Sequence, residues 1–324
     1  MTRELRSGQS DRTSIFGKDT KIEIIIPTLN EERTLGKLIE NIRSSVLPLK
    51  ASTLVIDGGS ADRTLDICER ENVRYIIQKG KGKGSAMREA VEQSDADIVV
   101  FIDGDGTYCP SDLELLLEPL LNDQADMVVG TRIAAKREKG SISAFNTVGN
   151  NLFNRTINFA LKSSITDSLS GYRALYRKTF KDLVLFSDSF EIEVEMTVEA
   201  LAKGYRVVEV PISYGIRQGS KTKLDPLGDG IKIGRTLLFI LMNVNPLKFF
   251  GVISLAFFAV GLYPGSLVLY EKITTGNVVS IPSVVFSSLL FVTGTISIVV
   301  GMVSELVVRS RRRLEHLINR KYER

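Results

Sequence analysis

The chain has 324 residues, 42 Lys and Arg against 38 Asp and Glu, a formal net charge of +4, two cysteines and one histidine. That length allows one large domain or two smaller ones. Cys68 and Cys109 stand apart and the lone His316 lies near the C-terminus, which excludes a cysteine-built metal site, a disulfide framework, a zinc cluster and a His–Asp dyad upstream of it. Acid–base chemistry there must use carboxylates or need no strong base, and a reduced, cytosolic setting fits.

Residues 1–20 are polar and charged with no apolar run of signal-peptide length, and read as a flexible tail. From Lys21 the pattern alternates. "IEIIIP" (22–27), "STLVID" (52–57), "VRYIIQ" (73–78), "DIVVFID" (97–103) and "ADMVVG" (125–130) are short β-branched apolar runs. Between them lie the helical patterns "EERTLGKLIENIRSS", "ADRTLDICEREN", "GSAMREAVEQS" and "PSDLELLLEPLLND". Such an alternation predicts an α/β domain with a mainly parallel sheet covered on both faces. Further on come "SLSGYRALYRKTF", an acidic helix "EIEVEMTVEALAKG", a strand "YRVVEVPISY" and the basic, loop-like "GIRQGSKTKLDPLGDG". "IKIGRTLLFILMNVNP" (231–246) has an apolar side and a few cations, as an interfacial helix would; a core-facing helix is the plainer alternative.

Two uncharged runs of about 22 residues follow, at 249–270 and 282–304, each long enough to cross a hydrocarbon layer of about 30 Å. The plainer alternative is a pair of buried core helices. Lys248 and the run Arg309–Arg313 flank the spans, while the short link carries one Lys. By the positive-inside bias, the N-terminal region and both termini are expected to face the cytoplasm of a cell membrane or endomembrane.

Ligands of parallel α/β sheets bind at the carboxyl ends of the strands. Here the first strand ends in "PTLNEE" (27–32), the second in "DGGS" (57–60) and the fourth in "DGDG" (103–106). Each segment alone also suits a turn or helix cap, and Asp57 could simply cap the next helix. Asp103 and Asp105, one residue apart after a buried strand, need a positive neighbour. Their spacing suits a hard divalent cation, Mg²⁺ or Mn²⁺, which completes its shell with water and phosphate oxygens.

"PTLNEE", "VIDGGSADRT", "GKGSAMREA", "FIDGDGTY", "GTR", "SGYRALYR" and "VPISYGIRQGSKTKL", in this order, resemble family 2 glycosyltransferases of the dolichol-phosphate (polyprenyl-phosphate) mannosyl- and glucosyltransferase type. The resemblance spans about residues 21–245. It implies a GT-A fold, a nucleotide-sugar donor (GDP-mannose or UDP-glucose), Mg²⁺ or Mn²⁺ at Asp-x-Asp, a polyprenyl phosphate acceptor and inversion at the anomeric carbon. By position, Pro27, Leu29, Glu31 and Asp57 would hold the nucleoside. Asp103, Gly104 and Asp105 would meet the diphosphate, with Asp103, Asp105 and Thr107 around the metal. Arg132, Arg173, Arg217 and Lys223 would meet phosphate groups, and Asp105, Arg132 and Arg217 would form the catalytic set. The sequence departs from the family pattern at three places. Gly58 replaces the second Asp of Asp-Asp-Gly-Ser, Thr107 stands where mannosyl relatives carry Gln, and "RQGSKTKL" has one residue more than Arg-x-Gly-x-Ser-Lys, leaving Lys221 and Lys223 as alternatives.

A lipid phosphate is already anionic at neutral pH and can attack without a strong base, which accords with the missing histidine. Processive polysaccharide synthases of the superfamily use Gln-x-x-Arg-Trp, and this chain has no tryptophan. The expected organisation is a tail (1–20), a GT-A domain (21–225), an interfacial helix (226–247), two membrane helices (248–308) and a basic tail (309–324). Rival readings are a glycosyltransferase acting on another membrane acceptor, a glycolipid or protein, and an inactive membrane scaffold that binds nucleotide sugar. Nucleic acid is not an expected partner. The sugar and base stay open, and so does the choice between a single chain and a homo-oligomer.

Overall fold

The computed structural model describes residues 20–45, 51–132, 144–189, 191–215, 238, 242 and 245–322. The chain divides into two compact units, Met1–Gly230 and Ile231–Arg324.

The first unit is built on a seven-stranded sheet: β1 (Ile22–Thr28), β2 (Ala51–Asp57), β3 (Arg74–Ile77), β4 (Ile98–Phe101), β5 (Met127–Thr131), β6 (Arg173–Tyr176) and β7 (Val207–Pro211). Their spatial order is β3-β2-β1-β4-β6-β5-β7. Strands β2, β3 and β4 run parallel to β1 or its neighbour, and β7 runs parallel to β5. Among the described strands only β6 is antiparallel, inserted between β4 and β5. The expected mainly parallel α/β sheet is therefore present, with one reversed strand that apolar patterning does not announce.

Both faces of the sheet are covered, and so its central strands carry consecutive apolar residues. Successive side chains alternate sides. Ile24 and Ile26 of β1 pack with α1 (Leu35–Ser45), α2 (Thr64–Arg70) and α4 (Leu113–Leu121), through Leu35, Ile39, Leu116 and Leu117. Ile25 between them points into the other layer, with α3 (Lys83–Glu92), α6 (Arg177–Asp182) and α7 (Ile192–Ala202), where Met87, Phe180 and Met196 lie. The remaining helix of this unit, α5 (Ala144–Leu161), precedes β6.

The second unit is a helical hairpin of α8 (Pro246–Thr275) and α9 (Ile281–Tyr322). Small residues let the helices approach: Ser254 Oγ donates to the Gly294 carbonyl at 2.7 Å, and Ser287 Oγ to the Gly261 carbonyl at 2.9 Å. A Cβ at Gly294 would lie 2.6 Å from the Phe258 ring. Within this unit the large apolar side chains point outward, Leu255 and Tyr263 being 68% and 71% exposed. A core helix would be covered on all sides, so the alternative of two buried core helices fails. Pro246–Thr275 and Ile281–Ser310 are long and apolar enough to cross a membrane. Most of the expected interfacial helix lies outside the described residues; of its apolar side Leu238 and Met242 are described, both helical and exposed.

Candidate active site

The site is assembled where β1, β2, β4 and β5 run out. At the end of β1 the chain turns through Asn30, whose φ of 57° is the left-handed conformation that Asn tolerates. Asn30 fixes this turn against the next loop: its N–H donates to Ser60 Oγ at 2.8 Å, and its Oδ1 accepts the Ala61 N–H at 2.8 Å. Leu29 is left 55% exposed at the tip, with Pro27 and Glu31 half-buried beside it.

Asp57, at the end of β2, is fully buried. Its carboxylate accepts the Gly59 and Ser60 N–H groups at 2.8 Å each and the Ser60 hydroxyl at 2.5 Å. It shapes its own turn as an Asx cap does.

The mouth of β4 carries the two carboxylates. Thr34 Oγ1 donates to the Gly104 carbonyl at 2.7 Å, tying this loop to the start of α1. A Cβ at Gly104 would come within 2.8 Å of Thr28 Cγ2, so a small residue is needed there. Asp105 Oδ1 accepts the Thr107 N–H at 3.1 Å and its hydroxyl at 2.7 Å. Thr107 is buried and orients Asp105 from behind, its hydroxyl proton committed to that carboxylate. Asp103 lies against Gly171 of the loop before β6, where a Cβ would stand 2.7 Å from Oδ2.

The positive partner of Asp103 comes from the "GKGSAMREA" segment, none of whose residues is an expected site residue. Lys83, the first residue of α3, bonds through Nζ to Asp103 Oδ1 and sits 2.6 Å from Glu193 Oε1 of α7. Burial opposes the ammonium charge, but the two carboxylates outweigh it and push the lysine pKa well up. Burial also pushes the Glu193 carboxyl up, against the pull of Lys83. Glu193 Oε2 is buried and has no hydrogen-bond partner.

At the end of β5, Arg132 is held in a bidentate pair with Asp167, Nε to Oδ2 at 2.8 Å and Nη2 to Oδ1 at 2.7 Å. Its guanidinium carbon lies 5.3 Å from the Tyr214 ring centroid. Burial works against the charge, yet Tyr108 and Asp167 raise the arginine pKa above its usual range. Tyr108 links the two mouths: its hydroxyl accepts the Gly171 N–H at 2.8 Å, and its ring lies 5.2 Å from that of Tyr214.

Arg173 requires a correction. Expected to meet phosphate, it has no exposed surface. Its guanidinium donates to the Ser170 and Ser168 carbonyls at 2.7 and 2.6 Å and to Thr197 Oγ1 at 2.8 Å. With neutral partners, burial lowers its pKa to about 10. Arg173 is a strut under the loop that touches Asp103, and no anion can reach it. Arg217, Lys221 and Lys223 lie outside the described residues.

The comparisons with known proteins identify the family of this α/β domain. Residues 23–184 match the profile of glycosyl transferase family 2. The chain is 38% identical to glycosyltransferase AglJ of Haloferax volcanii, over 91% of this chain and 97% of that protein. It is 32% identical to dolichyl-phosphate hexose transferase of the same organism, over 68% of this chain and 94% of that one. A solved structure of glucosyl-3-phosphoglycerate synthase from Mycobacterium tuberculosis, in complex with Mn²⁺, uridine diphosphate and phosphoglyceric acid, superposes with a TM-score of 0.56. Its identity is 24%, covering 68% of this chain and 78% of that one. The chain belongs to glycosyl transferase family 2. Its fold is the GT-A fold, and it is a glycosyltransferase of the hexosyl type.

Proposed function

We propose that the protein moves one hexose from a nucleotide sugar, GDP-mannose or UDP-glucose, to the phosphate of a polyprenyl lipid at a membrane surface. The observation that carries this reading is that Asp103 and Asp105 follow β4 and Arg132 follows β5 at the carboxyl edge of one sheet, in a chain that also holds two helices apolar enough to span a bilayer. Relatives named for dolichyl-phosphate hexose transfer and dolichol-phosphate mannosyl transfer support the acceptor class.

The two carboxylates suit a hard divalent ion. Asp103 is partly open to solvent, and both residues offer oxygen donors. Among the described residues no group of three or more His, Cys, Asp and Glu side chains is arranged to hold a metal, so diphosphate oxygens and water would complete the shell. When bound, Mg²⁺ or Mn²⁺ supplies positive charge to the leaving diphosphate. Thr107 holds Asp105 in the orientation that binding needs. Pro27, Leu29 and Glu31 border the open surface where the nucleoside would lie, with Asp57 shaping the neighbouring turn.

Arg132 presents its fork to the phosphate of the acceptor. An oxygen of that phosphate attacks the anomeric carbon from the face opposite the nucleoside diphosphate. The new C–O bond forms as the old one breaks, and the configuration inverts. The attacking oxygen carries no proton at neutral pH, so no base is required. Arg217 and Lys223 are proposed as further phosphate contacts. The basic flank Arg309–Arg313 favours a cytoplasmic site and cytoplasmic termini.

Radiolabelled GDP-mannose and UDP-glucose, each supplied with polyprenyl phosphate in detergent, test the proposal. Label should enter an acid-labile lipid product with one donor and disappear from it in EDTA. Label appearing only in glycolipid or protein would sink the acceptor assignment, and full turnover in EDTA would sink the metal.

A further inference from the structure

The arginine at the mouth of β5 is aimed by residues that no motif marks. Asp167, in the loop before β6, has no exposed surface, and both its oxygens accept from the Arg132 side chain. The Arg132 backbone N–H adds a third bond to Oδ2 at 2.9 Å. Two parallel side-chain bonds fix the plane of a guanidinium as well as its position. They use Nε–H and one Nη2–H, leaving the rest of the fork for an anion.

Asp167 is itself held from a distance. Glu209 of β7 accepts the Asp167 N–H at 2.8 Å, the Thr166 N–H at 2.9 Å and the Thr166 hydroxyl at 2.9 Å. Thr131 Oγ1, at the end of β5, lies 3.1 Å from Thr166 Oγ1. The Tyr214 ring closes one face of the guanidinium. Strands β5 and β7 are adjacent and in register, Val129 opposite Glu209, so the sheet carries the arginine and the clamp on one rigid frame.

We propose that Asp167, fixed by Glu209, is the positioning residue that sets the Arg132 fork for the acceptor phosphate. This rests on the proposed role of Arg132. The pair is close to neutral overall, so its contribution is direction more than long-range attraction. Loosening the fork therefore costs turnover more than acceptor capture. A displacement of about 1 Å in a positioned group is enough for losses on the order of a hundredfold.

The test is a double-mutant cycle on the full chain in detergent, with undecaprenyl phosphate as acceptor and the donor that the wild type uses. Asp167→Asn should lower kcat by about tenfold to a hundredfold with acceptor KM little changed. Donor binding by calorimetry should keep its wild-type stoichiometry. In an Arg132→Lys background, which already lacks the fork, Asp167→Asn should cost almost nothing further. Multiplying losses, or a kcat loss that tracks lost donor-binding stoichiometry, would reduce Asp167 to a fold residue and overturn the proposal. Unchanged kcat in Asp167→Asn would do the same. If Asp167→Asn does not fold, Glu209→Gln, which leaves the Asp167 side chain in place, should lower kcat several-fold and again have no effect beside Arg132→Lys. Wild-type turnover in Arg132→Ala would instead overturn the acceptor role of Arg132 itself.

Discussion

The two ends of the sheet treat charge in opposite ways. At the carboxyl ends, Lys83 and Glu193 are 9% and 4% exposed and Asp167 is fully buried, each pinned in an ion pair. At the amino ends, Lys21 pairs with Asp95 before β1, with side chains 64% and 85% exposed, and Arg206 before β7 pairs with Asp123 and Asp126. An exposed pair is worth little to stability. A buried pair costs several kcal/mol of desolvation per ion, which only close geometry offsets. Three such groups concentrated at one edge, with Glu193 Oε2 left unpartnered, mark that edge as shaped for ligand chemistry at the expense of stability. The amino edge carries less of this cost: of its charges Glu23 is buried with Oε2 unpartnered, and its cation, Arg74, is half exposed at 3.6 Å.

The contrast breaks most visibly at Asp105. Asp105→Ala should abolish transfer, because the proposed metal loses a ligand. It should leave Tm close to wild type, since the residue lies past the end of β4 and is not a member of the apolar core. A Tm loss of the size caused by a core truncation would mean that Asp105 holds the fold. Thr107→Val, which removes the hydroxyl bond to Asp105 and keeps the shape, should weaken Mn²⁺ binding less than Asp105→Ala does, as read by calorimetry.

Lys83→Met comes next and reads stability. It leaves Asp103 and Glu193 facing each other with their cation gone. Breaking a buried pair in this way costs about 3–5 kcal/mol, to be read from chemical unfolding of the catalytic unit. Adding Glu193→Leu should recover part of the loss, because a buried pair replaced by apolar groups of similar volume is close to neutral. No recovery would show that Glu193 is not the partner that matters.

What could be read in advance follows from range. The parallel sheet was legible because Ile24, Ile25 and Ile26 are buried on both faces, which puts consecutive apolar residues at the centre of the strand. Asp103 and Asp105 at a strand mouth follow from the same local pattern. Strand β6 escaped because it is four residues long and opens on Arg173, whose charge argues for solvent until three neutral acceptors are known to surround it. For the same reason Arg173 looked like a phosphate ligand. Lys83 opens α3 between two glycines, 20 residues before Asp103, and Asp167 stands 35 residues after Arg132. Glycines do mark the first of these: Gly84 lets the backbone close on the Ser187 carbonyl, which brings α3 and α7 together around the lysine. Nothing in the spacing of Arg132, Asp167 and Glu209 announces their meeting, because β6 and β7 must first pair with their neighbours.

The smallest effect belongs to the amino edge and tests whether it is as inert as it looks. Arg206 donates to Asp126 Oδ2 from its backbone N–H at 2.8 Å and from Nε at 3.1 Å, and these bonds hold the Asp126 carboxyl below its ordinary value of 3.8. Folding thus favours the ionised acid. Its contribution is complete above the ordinary carboxylate pKa and is lost as pH falls through the lower, folded-state value. Asp126→Asn should therefore lower Tm at pH 7 by less than about 2 °C, since the pair is solvent-facing. The gap between variant and wild type should narrow as the pH is taken below 3.8. Turnover at pH 7 should stay at the wild-type level, as Asp126 lies at the opposite end of β5 from Arg132. A gap that widens in acid would reverse the sign of the interaction, and a fall in turnover would show that the amino edge communicates with the site.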